Sequence, residues 1–233
     1  MQNAEIELKF PIVDLDRLQS LLPGLGFQLD TPRTFEQNTL YDTPARTLRA
    51  ARQILRIRRY GDIWTVTHKR PGLPSGIEAA AAQSAQAPRY KVRIETETEV
   101  EDGPSLGALF QQLGYVPVFR YQKYRTAWSQ PAYTAGPAIV GSHLSGAVLS
   151  GLPCAHCHLV LDETPIGDFA ELEGEPAWID STLIRLGIDP ATCLTDSYGR
   201  LFLAWKERTG SSAENLTFDE IPAAAELLQP SLP

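Results

Sequence analysis

Glu5-Ile6-Glu7-Leu8-Lys9, near the start of the 233-residue chain, sets the reading of the whole sequence. Side chains alternate faces along a strand, so Glu5, Glu7 and Lys9 share one face while Ile6, Leu8 and Phe10 share the other. One such segment describes only an antiparallel strand with a solvated side. The alternation recurs, however. Arg56 and Arg58 alternate with Leu55 and Ile57. Lys69 shares the parity of Thr67, with Trp64 and Val66 on the other face. Arg93, Glu95 and Glu97 alternate with Val92 and Ile94. Lys123 and Arg125 stand two apart, Asp162 ends His158-Leu159-Val160-Leu161-Asp162, and Glu171 and Glu173 again stand two apart. If these faces converge, they line a polar cavity that holds cations and a polyanion together, and the apolar faces turn outward under helices. A small barrel normally fills its interior with apolar side chains. Burying unpaired charges there costs several kcal/mol each, so such an interior requires water, metal or an anionic ligand.

Composition frames this reading. The chain can form one large domain or two small ones. Hydrophobic residues make up 43% and charged residues 21%, the balance of a soluble globular protein. A net charge of −7 argues against a general nucleic-acid or anionic-membrane surface. No apolar run reaches the length of a membrane span, and no signal peptide follows Met1. The three cysteines fit a reducing compartment, so a cytoplasmic location is expected.

The pattern predicts about eight strands, joined mostly by short connections, with helices between some of them. Strands are predicted at 4–11, 33–42, 53–60, 62–70, 89–101, 115–128, 156–163 and 168–174. Helices are predicted at 14–22, about 104–113, about 176–187 and 195–208, with a short turn or helix after Asp42-Thr43-Pro44. Pro, Gly, Ala and Ser concentrate at about 71–88 and 129–152, which read as long loops. The segment 209–233 reads as a loosely structured tail. The expected fold class is α+β: a closed eight-stranded antiparallel barrel with a charged interior, spanning residues 1–208.

The ordered motifs resemble the CYTH superfamily, the triphosphate tunnel metalloenzymes. Glu5-x-Glu7-x-Lys9 is similar to the family's N-terminal signature. Gln37-Asn38-Thr39-Leu40-Tyr41-Asp42-Thr43-Pro44, Leu48 and Leu55-Arg56-Ile57-Arg58 resemble its second and third strands. Thr67-His68-Lys69, Arg93-x-Glu95-x-Glu97 and Lys123-Tyr124-Arg125 resemble the next three. Leu161-Asp162-Glu163, Gly167-x-Phe169-x-Glu171-Leu172-Glu173 and Ser197-Tyr198-Gly199-Arg200-Leu201-Phe202 resemble its closing strands and helix. The likeness covers roughly residues 4–206 and implies Mg2+ or Mn2+ as cofactor. Glu5, Glu7, Asp162, Glu171 and Glu173 are the implied metal ligands, with Glu95 and Glu97 beside them. Lys9, Arg56, Arg58, Lys69 and Arg125 are the implied phosphate clamps, with Arg93 and Lys123 as further substrate contacts. Lys9, Arg56, Arg58, Lys69 and Glu171 form the implied catalytic set, and Lys206 is a weaker candidate. The partner implied is a small molecule carrying a triphosphate, bound by a monomer or homodimer.

The residue chemistry agrees with this set. Arginine binds phosphate oxygens bidentately and lysine meets them as a point charge, while Mg2+ takes oxygen ligands and bridges carboxylate to phosphate. Carboxylates crowded together raise one another's pKa unless a cation sits among them. Removing Glu171 or Glu173 is therefore expected to abolish activity and leave the fold intact or firmer. Three functions fit the set: a metal-dependent triphosphatase, a class IV adenylate cyclase, and a non-catalytic polyphosphate or nucleotide binder. The carboxylates favour an enzyme, and the sequence offers no motif for a base-recognition pocket. Neither a P-loop nor a Gly-x-Ser-x-Gly elbow occurs. Cys154-Ala155-His156-Cys157-His158 has zinc-ligating residue types but lacks a second knuckle, and His68 falls on the outer parity as a structural residue.

Overall fold

The computed structural model describes residues 2–72, 90–130 and 157–222. Eight strands form one closed antiparallel barrel: β1 (Gln2–Ile12), β2 (Gln28–Asp42), β3 (Ile54–Tyr60), β4 (Ile63–Pro71), β5 (Lys91–Val100), β6 (Val116–Ser129), β7 (His158–Thr164) and β8 (Gly167–Glu173). Around the barrel the order is β1-β5-β4-β3-β2-β6-β7-β8, so β1 closes it by pairing with both β5 and β8. The helices are α1 (Leu15–Leu21), α2 (Thr47–Ala50), α3 (Gly103–Gln112), α4 (Pro176–Leu186) and α5 (Tyr198–Thr209). Among the described residues no helix is long and apolar enough to cross a membrane.

The outward apolar parity is met as predicted. Leu8 and Phe10 of β1, Leu159 and Leu161 of β7, and Leu172 of β8 are buried with Leu22, Trp178, Ile179 and Leu183 in one cluster beneath α1 and α4. Ile57 is buried beneath α3. That helix can lie close because it presents glycine: a Cβ added at Gly103 would stand 2.2 Å from the Trp64 ring, and one at Gly107 would stand 2.5 Å from the Tyr41 hydroxyl. Side-chain caps fix the starts of α1, α3 and α5. Asp14 accepts from the Arg17 amide, Asp102 from the Ser105 amide and Ser197 from the Arg200 amide.

Three expectations need amendment. β2 begins five residues early, at Gln28, and its register against β6 shifts at Leu29/Thr31 and Thr31/Thr34. Pro32 lies in that irregular stretch, where its missing N–H is tolerated. α2 starts only at Thr47, because the Asp42 carboxylate reaches forward to the amides of Leu48 and Arg49 at 2.9 Å. The predicted loops fall outside the described residues beyond Gly72 and beyond Gln130.

The third difference is the segment after α5. β7 pairs with β6 only from Tyr124 to Ser129, which leaves the edge of β6 before Tyr124 open on that side. The chain returns to fill it. The Gln122 amide donates to the Leu216 carbonyl at 2.8 Å, and the Leu216 amide donates to the Arg120 carbonyl at 3.0 Å. Unpaired edge groups are thereby satisfied. Glu220 holds the bend by accepting from the amides of Glu214 and Asn215. Leu216 is wholly buried, so Leu216→Ala should lower stability by about 2–4 kcal/mol, read from the urea unfolding midpoint. A loss under about 0.5 kcal/mol would restore the loose-tail reading for this stretch.

Candidate functional site

The barrel encloses a cavity of about 580 Å3. Glu5, Glu7, Lys9, Arg56, Arg58, Lys69, Glu95, Glu97, Lys123, Arg125, Glu171 and Glu173 line it, as their strand parity predicted. Their ion pairs form two groups. In the first, Lys9 donates to Glu171, and Arg125 bridges Glu171 and Asp162 at 2.7 and 2.6 Å. Lys123 also donates to Asp162, at 2.8 Å. In the second group, Arg56 and Arg58 reach Glu97 at 3.4 and 3.2 Å, and Lys69 reaches Glu5 and Glu95 at 2.7 and 3.0 Å. Lys91 donates to Glu7.

Two predicted site residues stand apart from the wall. Arg93 has the inward parity, yet its guanidinium donates to the Arg52 backbone carbonyl at 2.6 Å. Asp162 is fully buried behind the wall, and both of its oxygens are taken by Lys123, Arg125 and the Tyr198 hydroxyl. Lys206 lies 5.5 Å from the Phe202 ring on α5 and is not part of the wall. His68 contacts Gln53 at 3.2 Å and is also outside it. Cys157 belongs to the outer core, and Cys154 and His156 lie outside the described residues.

Among the wall and near-wall residues absent from the predicted set, Lys91, Glu36, Tyr121 and Tyr198 bear on its charges. Lys91 has the parity of Arg93 and Glu95, which is the signal that could have found it. Glu36 is wholly buried, 3.4 Å from Lys123 and 3.8 Å from Arg125. Burial pushes the Glu36 carboxyl up, but Lys123 and Arg125, with Arg58 and Arg56 beyond, outweigh this and bring it to about 2. Tyr121 accepts from Arg56 at 3.3 Å. The Tyr198 hydroxyl donates to Asp162 at 2.5 Å, and its ring lies under Lys9 (4.1 Å) and Lys123 (4.8 Å).

The carboxylates separate by environment. Burial raises Glu171, yet Lys9 and Arg125 hold it well below the ordinary carboxylate range. Glu173 goes the other way: burial first, then the charge of Glu5, pushes it up to about 7 against the opposing pull of Lys69. The Glu173 side chain has no hydrogen bond or ion pair among the described residues. The same residues contain no group of three His, Cys, Asp or Glu side chains already gathered as a metal site, because lysine and arginine draw the carboxylates aside.

The donor set nevertheless fits a hard divalent cation. Seven lysine and arginine side chains in the wall face seven glutamates, Glu175 just past the end of β8 being the seventh, with Glu36 and Asp162 close behind, so the lining has no positive surplus for a polyanion. Glu173, Glu5, Glu7 and Glu95 form an all-oxygen group in which Lys69 pairs with Glu5 and Glu95 and Lys91 with Glu7, while the Glu173 carboxylate has no ion pair of its own among the described residues.

A CYTH domain model matches residues 3–177, and the chain belongs to this family. No curated protein matches the sequence significantly. Among solved structures, a Pyrococcus horikoshii protein is 21% identical with a TM-score of 0.59, covering 86% of this chain and 99% of its own. A Vibrio parahaemolyticus protein that carries the provisional name of an adenylate cyclase is 17% identical, TM-score 0.57, over 85% and 97% of the two chains. A Hippeastrum protein described with a dominant triphosphatase activity is 20% identical, TM-score 0.53, over 88% and 96%. These likenesses establish the fold.

Proposed function

We propose that this barrel hydrolyses a triphosphate in the presence of Mg2+ or Mn2+, by attack of water on the terminal phosphate. The observation that carries the reading is the enclosed wall of alternating lysine, arginine and glutamate side chains. Arg56, Arg58 and Arg125 offer planar forks for phosphate oxygens, and Lys9, Lys69 and Lys123 offer compact charges. Each is already aimed by a carboxylate partner and held on a strand. The charge that develops on transfer therefore meets donors that need little reorganisation. Glu171 keeps Lys9 and Arg125 together at one end of the phosphate path. Glu5, Glu7, Glu95 and Glu173 would hold the metal, which when bound neutralises phosphate charge and acidifies water.

The test is purified protein with Mg2+ or Mn2+, supplied with tripolyphosphate, ATP or thiamine triphosphate, and assayed for phosphate, pyrophosphate and cyclic AMP. Phosphate release from tripolyphosphate is expected to exceed any cyclic AMP formed from ATP. Cyclic AMP and pyrophosphate from ATP with tripolyphosphate inert would replace this reading by a cyclase, which must orient the ribose hydroxyl. Full activity in excess chelator would remove the metal from it.

A further inference from the structure

The carboxylates beside the phosphate-facing cations stand at two depths. Glu97 and Glu171 line the cavity, so an entering polyanion competes with them for Arg56, Arg58, Lys9 and Arg125. Glu36 does not line it. This residue is wholly buried on β2 and shares a strand face with Asn38 and Leu40. The register sets Glu36 opposite Lys123 on β6 and Asn38 opposite Arg58 on β3. The Glu36 carboxylate stands 3.4 Å from the Lys123 ammonium and 3.8 Å from the Arg125 guanidinium. The Asn38 side-chain amide donates to its Oε1 at 2.9 Å and so fixes its orientation.

Glu36 acts on both ion-pair groups of the wall. Lys123 and Arg125 belong to the group built on Asp162 and Glu171, and Arg56 and Arg58 belong to the group built on Glu97. The charges of all four cations bear on Glu36 and outweigh the cost of its burial. Asp162 meets Lys123 and Arg125 at 2.8 and 2.6 Å, as direct hydrogen-bonded pairs. The longer distances from Glu36 make its pull chiefly Coulombic. A fixed negative charge behind the wall has two effects on a bound polyanion. It repels the phosphates, which weakens ground-state binding. It also holds the cations on their strands when phosphate takes them from Glu97 and Glu171. That second effect matters most in the transition state, where donors must already be in place.

We propose that Glu36 is a positioning residue for triphosphate hydrolysis, the buried counter-charge that keeps Lys123, Arg125, Arg56 and Arg58 in place while substrate fills the cavity. It lies outside the cavity and acts through these cations. The proposal rests on the triphosphatase reading and adds a residue to its machinery.

Its test is steady-state kinetics with Mg2+ on the wild type, Glu36→Gln, Glu36→Asp and Asn38→Ala. The substrate is whichever of tripolyphosphate, ATP and thiamine triphosphate the wild type hydrolyses fastest, and rates are referred to folded protein measured by circular dichroism. Glu36→Gln keeps the volume and removes the charge. Its kcat should fall roughly 10- to 100-fold, the scale of groups displaced by about 1 Å. Its KM should stay level or fall, because a repulsion has been removed. Glu36→Asp keeps the charge on a shorter arm and should recover most of the lost kcat. Asn38→Ala leaves every charge in place and only releases Glu36. It should lower kcat roughly 3- to 10-fold at level KM, the scale of one hydrogen bond, and it carries the test if Glu36→Gln does not fold. A purely structural role would lower the folded fraction and leave the kcat of folded protein unchanged. For Glu36→Gln, a kcat within about twofold of wild type, or a KM raised more than about twofold, would overturn the proposal and leave the triphosphatase intact. Glu36→Asp as slow as Glu36→Gln, or Asn38→Ala as fast as wild type, would overturn it as well. Wild-type protein releasing phosphate from none of the three substrates would overturn both readings.

Discussion

Asp162→Ala is expected to destabilise the barrel by about 3–5 kcal/mol, the cost of breaking a buried charge network from one side. Asp162 is fully buried and Lys123 beside it is 3% exposed. Lys123 also has Glu36 and Arg125 also has Glu171, but both lose their shared acceptor, as does the Tyr198 hydroxyl. Because Tyr198 opens α5, the damage should reach the packing of that helix as well. Chemical denaturation reads the effect, and Asp162→Asn, which keeps the volume and part of the hydrogen bonding, should lose less than Asp162→Ala. A loss under about 1 kcal/mol, the level of an exposed pair, would mean the network is not holding the barrel. The same logic corrects the expectation for Glu171. Its removal should abolish activity, but the fold will not stay intact at no cost, since Lys9 is 4% exposed and rests on it.

Strand parity made most of the barrel and the cavity wall legible, because a period of two fixes which face a side chain takes once both faces are buried. Parity fixes the face and not the depth. Arg93 and Asp162 have the predicted parity, yet one turns to a backbone carbonyl near α2 and the other is sealed behind Lys123 and Arg125. Glu36 was invisible for a related reason. In Phe35-Glu36-Gln37 it looks like any polar strand residue, and only the pairing Glu36↔Lys123 turns it into a counter-ion. The polar, proline-bearing segment after α5 also hid its role. The open edge of β6 that it fills exists only once β7 is known to stop pairing at Tyr124.

Glu173→Gln should stabilise the metal-free protein while abolishing metal-dependent hydrolysis. The native carboxyl titrates at about 7 against an ordinary value of 4.5. Between those values the native state holds more protons than the unfolded chain, so stability falls as pH rises through that window. The penalty is absent below 4.5 and complete above 7. At roughly 1.4 kcal/mol per pKa unit it amounts to about 1–3 kcal/mol. In chelator the glutamine variant should therefore melt above the parent at pH 8 and level with it at pH 4. Adding Mg2+ or Mn2+ should raise the parent's melting temperature more than the variant's, because the ion binds only the native site. Hydrolysis should drop by about 100-fold or more, on the scale of losing one preorganised electrostatic group. The two readouts move in opposite directions, which separates this residue from one that merely supports the fold. A variant no more stable than the parent at pH 8 without metal would mean that the Glu173 charge is already balanced. The physical case for a cation beside Glu5, Glu7, Glu95 and Glu173 would then be gone.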